Sequence, residues 1–112
     1  MAVPNTYAEV NEKSTALLTL SFFDESELAV SPSAVTYRID DAASGTAILA
    51  LTTLTGPFST TKDIVITSAQ NAIINNTHSF EMRIVTVEFD YSGGKHATGE
   101  YKYMVKNLSG VA

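Results

Sequence analysis

Apolar and polar residues alternate with a period of two along most of this chain, and almost no stretch shows the period of an α-helix. The clearest alternating runs are residues 18–22, 35–40, 85–89 and 101–105. Because successive side chains of a strand point to opposite faces, each run predicts a strand with one buried and one exposed face. Repeated strands of this kind, separated by turn residues, predict an antiparallel sandwich or barrel.

One stretch is continuously apolar rather than alternating. Residues 63–67 read Asp-Ile-Val-Ile-Thr, and this pattern predicts a strand that is covered on both faces. A chain of 112 residues is long enough for one domain with its own core. We therefore expect a single all-β sandwich of about seven strands, covering residues 14–112.

Residues 69–75 form the only segment for which we expect helical structure. Ser68 could cap a helix at its start, and the pair Asn75-Asn76 could end it. Because so short a helix is not stable alone, we expect one helical turn that connects the two sheets.

The longest predicted strand, residues 79–91, contains a conflict of parity. Phe80 and Met82 share one face, whereas Val85, Val87 and Phe89 share the other. One extra residue near Arg83-Ile84 would bring all five apolar side chains to the same face. The sequence therefore predicts a β-bulge at that point.

Residues 1–13 have two interpretations, an N-terminal arm that orders against a partner or an edge strand of the sandwich. Val3, Tyr7 and Val10 are apolar, but their spacing fits neither a sandwich strand nor a stable isolated helix. If the segment is an arm, deletion of residues 1–12 should weaken assembly and leave thermal stability nearly unchanged.

Composition excludes several classes of function. The chain has no cysteine, so disulfides, thiol chemistry and cysteine-bound metals are excluded. Its formal net charge of −5 argues against a general nucleic-acid binder, which needs a basic face. No apolar run is long enough to span a membrane, and the first residues do not have the pattern of a signal peptide.

No group of residues predicts catalysis or metal binding. His78 and His96 lie beside turns and lack ligand partners at strand spacing. The acidic residues near Asp24 and at Asp40-Asp41 do not match the spacing of a calcium loop. Gly93-Gly94-Lys95 resembles a phosphate loop only superficially, and a hairpin turn explains it. We expect a protein that is not an enzyme, with no catalytic, cofactor-binding or metal-binding residues and no cofactor.

The aromatic residues are predicted to serve mainly as core. The side chains at inward parity are Tyr37, Phe80, Phe89, Tyr101 and Tyr103. Phe23 and Phe58 lie out of register or in a loop, so these two are the candidates for exposed contacts.

Two segments carry a resemblance to known families. Residues 18–40 contain an alternating strand, an Asp-led turn, a proline and Ala-Val-Thr-Tyr-Arg-Ile-Asp-Asp, and they resemble consecutive strands of bacterial immunoglobulin-like and fibronectin-III-like domains. The later order of Ile-Val-Ile-Thr, Asn-Ala-Ile-Ile, residues 81–87 and residues 101–108 resembles small structural proteins of tailed bacteriophage virions. The resemblance covers residues 15–111.

This resemblance implies an immunoglobulin-like sandwich that is a capsid decoration or a head–tail junction (neck) component. Its partners would be other virion proteins and repeated copies of itself, without nucleic acid or membrane. Its location would be the virion, assembled in the host cytoplasm. The alternative is an immunoglobulin-like adhesion module that binds carbohydrate or a host surface; the absence of tryptophan weakens this alternative.

Overall fold

The structure, a computed structural model, describes residues 8–75 and 77–108, and these form seven β-strands. The strands are β1 (Ala8–Asn11), β2 (Ala16–Ser21), β3 (Ala34–Asp41), β4 (Ala47–Thr53), β5 (Thr61–Ile66), β6 (Phe80–Tyr91) and β7 (Lys95–Lys106). Within those residues there is no helix, and so none that could cross a membrane.

The strands form a large and a small sheet that pack face to face. The large sheet has the order β1-β7-β6-β3-β4, and the small sheet pairs β2 with β5. All pairs are antiparallel except β1, which runs parallel to β7. The predicted all-β sandwich of about seven strands is confirmed.

The core lies between the two sheets and follows the predicted alternation. Phe22, at the end of β2, meets Phe89 of β6 edge-to-face, with ring centroids 5.0 Å apart and an interplanar angle of 67°. Such a contact between rings adds to the gain from burying their area. The buried apolar residues are Leu20, Phe22, Val35, Tyr37, Ile39, Ile64, Ile66, Val85, Val87, Phe89, Tyr91, Tyr101, Tyr103 and Val105.

The predicted β-bulge at Arg83-Ile84 is wrong. The register of β6 is unbroken against β7 over its whole length and against β3 from Arg83 to Asp90. The inward positions before Val85 are therefore taken by Arg83 and Glu81, both buried, while Phe80 faces outward and is 49% exposed. The charged side chains occupy inward positions because they find partners there. The register shifts lie instead between β3 and β4.

Residues 69–75 form no helix; a single turn with a helix-type hydrogen bond ends at Asn71 instead. Residues 68–71 form hydrogen-bonded turns, in which the Asn71 N–H donates to the carbonyls of Thr67 and Ser68. The carbonyls of Gln70 and Ala72 accept hydrogen bonds from the Arg83 guanidinium. These two bonds hold the segment against β6.

The small sheet is covered on one face only. On β5, Ile64 and Ile66 are buried, but Val65 between them is 56% exposed. The expectation that residues 63–67 are covered on both faces is therefore wrong for the described residues. Val65 lies opposite Leu17 of β2, which is 65% exposed, so the outer face carries an apolar cross-strand pair.

Part of residues 1–13 forms an edge strand. Residues 8–11 are β1, which pairs with residues 103–106 of β7, and Val10 packs against the core. Residues 1–7 lie outside the described residues. The division of the chain at residue 13 stays a prediction.

Candidate functional site

The most distinctive side-chain arrangement is a buried charged cluster of Arg83, Glu81 and Asp41, here called the Arg83 cluster. The guanidinium of Arg83, fully buried, donates from Nη2 to Glu81 Oε1 at 2.7 Å and from Nε to Asp41 Oδ1 at 3.3 Å. It also donates to the carbonyls of Gln70 and Ala72 at 2.9 and 3.0 Å. Arg83 therefore ties β6 to the end of β3 and to the β5–β6 connection.

The two carboxylates of the Arg83 cluster hold turns as well as the arginine. Glu81 accepts hydrogen bonds from the N–H groups of Ile74 and Asn75 at 2.9 and 3.0 Å. Asp41 accepts from the N–H and hydroxyl of Ser44 at 3.0 and 2.7 Å. Since each charge of the cluster has partners within the protein, the cluster is a structural device that fixes two connections, β3–β4 and β5–β6, on the sandwich.

A buried polar contact beside the cluster fixes the chain between β1 and β2. The Asn71 side chain, fully buried, donates to the Ser14 carbonyl at 2.7 Å and accepts from the Tyr103 hydroxyl at 2.9 Å. Burial raises the pKa of the Tyr103 hydroxyl to about 12, so it remains a hydrogen-bond donor over the physiological range.

The Glu81 carboxyl makes the stability of the fold depend on pH. Burial alone raises its pKa, but the N–H groups of Ile74 and Asn75 and the contact with Arg83 outweigh that effect and lower the pKa from 4.5 to about 2. The ionised form therefore stabilises the folded state fully above about pH 4.5, and this contribution, about 3 kcal/mol, is lost as the pH falls towards 2.

We expect denaturant unfolding curves between pH 7 and pH 2.5 to show this dependence. The difference in free energy of unfolding between the wild type and Glu81→Gln should be largest at neutral pH and shrink on acidification. Glu25→Gln is the matched control. The pKa of Glu25 is also lowered to about 2, chiefly by Lys95, but this carboxyl is exposed, so its replacement should change the pH dependence of stability less. A Glu81→Gln difference that stays constant with pH would contradict the assignment.

The structure places both histidines beside carboxylates, which the spacing argument did not foresee. His78 Nδ1 lies 3.0 Å from Glu81 Oε2. His96 lies opposite Asp90 across the β6–β7 pair, with Nδ1 2.6 Å from Asp90 Oδ1 and Nε2 3.3 Å from Glu88 Oε1. The two carboxylates bind opposite ring nitrogens of His96, so they do not converge on one point. Among the described residues no group of three or more ligand-type side chains could hold a metal ion.

The acidic residues near Asp24 and at Asp40 form hydrogen bonds and ion pairs within the protein. Asp24 Oδ1 accepts from the N–H groups of Ser26 and Leu28 at 2.8 and 3.0 Å. Asp40 forms a two-point pair with Arg38, at 2.8 and 2.9 Å. Glu25 binds the Tyr91 hydroxyl and the Lys95 ammonium, which joins the β2–β3 loop to the β6–β7 hairpin.

The candidate contact aromatics are both half-buried. Phe23 forms an isolated bridge with Ala29, and Phe58 packs against the core. Phe58 also lines an open depression of about 520 Å³ together with Pro57, Ser59, Thr61, Lys62 and Asp63. Tyr91 is buried and presents no face to a ligand.

The sequence does contain a signal for the Arg83 cluster, because two successive inward positions of β6 carry charged residues. Continuing the parity of Val85 and Val87 backwards along β6 leads directly to Arg83 and then Glu81. Opposite charges two residues apart on a buried face indicate an internal ion pair.

Comparison with known proteins supports the fold alone. No protein-family model and no curated protein sequence matches the chain. Among solved structures it is similar to the crystal structure of the periplasmic chaperone SfaE, with a TM-score of 0.60 and 14% sequence identity. The match covers 92% of this chain and 55% of the chaperone, so the chain spans about half the length of that protein. Strand order and this likeness define the class as an immunoglobulin-like β-sandwich.

Proposed function

We propose that this protein is a non-enzymatic structural component of a tailed bacteriophage virion, a capsid decoration or a head–tail junction protein. It acts through protein–protein contacts with other virion proteins and with further copies of itself. The setting, particle assembly in the host cytoplasm, comes from the resemblance of residues 15–111 to small virion proteins.

The observation that carries the proposal is the exposed apolar surface at the edges and outer faces of the sheets. Leu17 and Val65 form an exposed pair on the small sheet, and Leu51 of β4 is 58% exposed at the edge of the large sheet. Apolar side chains next to open strand edges favour contacts with other chains. A protein that decorates or joins particles needs such contacts.

The test is co-sedimentation with virions from the source that encodes the chain, combined with quantitative mass spectrometry of the purified particles. We expect the protein to be present in a fixed number of copies per particle and added protein to be retained by particles depleted of it. Thr98→Lys, on the outer face of β7 and away from Leu17, should be retained like the wild type. Absence from particles, with no retention by capsid or tail preparations, would contradict the proposal.

A carbohydrate-binding role is the second candidate, and the open depression beside Phe58 is the observation that favours it. Selective binding on a glycan array that is lost in Phe58→Ala, but not in a variant of exposed Leu51, would favour this role over the structural one. An array without signal would leave the structural proposal ahead.

A further inference from the structure

The first residues of β6 reverse the polarity expected of a strand in a sandwich. Its inward residues Glu81 and Arg83 are charged and buried. Its outward residues Phe80, Met82 and Ile84 are apolar. A strand that served only the fold would place apolar side chains inward, because buried charges are costly unless partners satisfy them. Departures of this kind are expected at functional sites, so the outward side chains are candidates for a contact with another molecule.

These side chains form an apolar surface on the outer face of the large sheet, here called the Phe80 surface. It consists of Phe80, Met82 and Ile84 together with Met104, which lies opposite Met82 on β7. Phe80 is about half exposed and the other three are partly exposed. Among the described residues, none of the four belongs to the core or is packed against it. Exposed apolar surface of this kind marks interaction sites.

The Phe80 surface continues into an open depression of about 350 Å³. The depression lies between Phe80 and Met82 on one side and Ala42 and Ala43 of the β3–β4 turn on the other. It is present because β3 pairs with β6 only from Arg83 onwards, so the first residues of β6 have no neighbouring strand on that side. A bulky apolar side chain of a partner can enter it, and anchors that fill pockets contribute most of the binding energy of an interface.

Two lysines flank the Phe80 surface along β7. Lys106 lies opposite Phe80, and Lys102 lies opposite Ile84. Both side chains are exposed. In the part of the chain that the structure describes, neither ammonium group takes part in an ion pair, whereas that of Lys95 does. An apolar row with cations along one side is complementary to a segment that carries apolar side chains and carboxylates.

The other charges on this face favour a protein partner over an anionic surface. Glu88 and Asp90 of β6 and Glu100 of β7 point outward beyond Ile84, and Glu9 of β1 lies opposite Met104. A phospholipid or nucleic-acid surface would bring phosphates to these carboxylates as well as to the lysines, and like charges repel. A protein segment can place its carboxylates beside the two lysines alone.

A second copy of this chain fits the Phe80 surface less well. In aligned face-to-face packing of two sheets, a two-fold axis along β6 sets Glu88 of one copy against Glu88 of the other. A two-fold axis across the strands at Met82 sets Lys102 of one copy against Lys106 of the other, because both lie two residues from the β7 residue opposite Met82. Like charges that face each other across an interface oppose association.

We infer that the Phe80 surface docks a segment of another virion protein that presents apolar side chains and carboxylates. One bulky apolar side chain of this segment fills the depression beside Ala42 and Ala43, and its carboxylates pair with Lys102 and Lys106. The inference rests on the proposed function and names the chemistry of the partner. The Phe80 surface lies on the opposite side of the sandwich from the Leu17–Val65 pair, so one copy can join two components of a particle.

The first experiment measures binding to particles depleted of the protein, by co-sedimentation over a series of protein concentrations. Phe80→Ala should weaken binding by about tenfold or more, because it removes the largest side chain of the surface. Leu28→Ala is the matched control, since Leu28 is 65% exposed and lies in the β2–β3 loop; it should bind as the wild type does. Wild-type binding by Phe80→Ala, or equal weakening of both variants, would overturn the inference.

The second experiment tests the charges. Lys102→Glu should weaken binding by about tenfold or more and reduce its dependence on salt, because it removes an intermolecular ion pair. Lys62→Glu on β5 makes the same change of net charge on the other sheet and should have a much smaller effect. Melting curves of both variants confirm that they are folded. Equal losses in the two variants would show that only net charge matters and would overturn the inference.

The third experiment locates the contact on the assembled particle. Hydrogen peroxide converts accessible methionines to sulfoxides, and mass spectrometry follows each residue separately. Met82 and Met104 should be oxidised several-fold more slowly in particle-bound protein than in free protein. In Leu28→Met, the added methionine should be oxidised at the same rate in both states. Unchanged rates for Met82 and Met104 on the particle would overturn the inference.

Two measurements on the free protein test the other possible occupants. Sedimentation equilibrium should show a monomer, and vesicles that contain phosphatidylglycerol should not retain the protein. A dimer, or retention by these vesicles, that is lost in Phe80→Ala would assign the surface to a second copy or to lipid and overturn the inference.

Failure of the proposed function has a different signature. A wild type that particles do not retain refutes the virion role, and this partner with it. Retention of the wild type, with Phe80→Ala and Lys102→Glu retained equally well, refutes only the partner inferred for the Phe80 surface.

Discussion

Replacing Arg83 by methionine is expected to lower the free energy of unfolding by about 3–5 kcal/mol. The variant leaves Glu81 and Asp41 buried without their cation, and the carbonyls of Gln70 and Ala72 without their donor. For a domain of this size such a loss corresponds to a decrease in melting temperature of roughly 10–25 °C. Thermal and urea unfolding followed by circular dichroism measure both quantities.

Arg38→Met is the matched control for this change. Arg38 also pairs with a carboxylate, that of Asp40, but its side chain is largely exposed, and exposed pairs contribute about 0–1 kcal/mol. Arg83→Lys should fall between the two, since an ammonium keeps the charge but cannot reach all four acceptors. Equal stability of Arg83→Met and Arg38→Met would show that the Arg83 cluster is not what holds these loops.

The second large effect is expected at Phe89, and Phe80 on the same strand provides the contrast. Phe89 is buried and contacts Phe22 and Tyr91, whereas Phe80 is about half exposed. Phe89→Ala should lower the free energy of unfolding by about 3–5 kcal/mol, while Phe80→Ala should cost less than about 1 kcal/mol.

Chemical denaturation of the two alanine variants distinguishes the observed register from the one with a bulge. If β6 carried an extra residue near Arg83, both phenylalanines would lie in the core and both variants would lose several kcal/mol. Comparable losses would therefore contradict the continuous register of β6.

Alternation along single strands was enough to predict the sandwich, because period-two burial is a local property. Residues 18–22, 35–40 and 101–105 all lie as expected, with Leu20, Val35 and Tyr103 in the core. Of the other aromatic residues predicted to lie in the core, Tyr37, Phe89 and Tyr101 are buried, but Phe80 is about half exposed.

The errors arose where contacts distant in sequence decide the outcome. Arg83 occupies an inward position because Asp41, far away in the chain, and the carbonyls of Gln70 and Ala72 satisfy it. Two of these acceptors lie in residues 69–75, where a single turn forms but no helix. No local pattern reveals such acceptors, so the parity conflict in β6 was attributed to a bulge.

The sequence reveals only part of the candidate contact surface, which consists of Leu17, Val65 and the open edge of β2. The absence of charge and proline in residues 16–21 is visible in the sequence. That β2 is an edge, and that Val65 lies exposed beside Leu17, follows only from sheet order.

Amide hydrogen exchange at β2 tests most directly whether the protein acts through contacts at its open sheet edge. Exchange should be compared between the free protein and the protein bound to the particle. The Phe22 N–H bonds to the Thr60 carbonyl, so in the alternating ladder the Leu17 and Thr19 amides point away from β5. We expect these two amides to exchange rapidly in the free protein and markedly more slowly on the particle. The Leu18 and Leu20 amides, bonded towards β5, should be protected in both states. Unchanged exchange at Leu17 and Thr19, with new protection elsewhere in the chain, would contradict it.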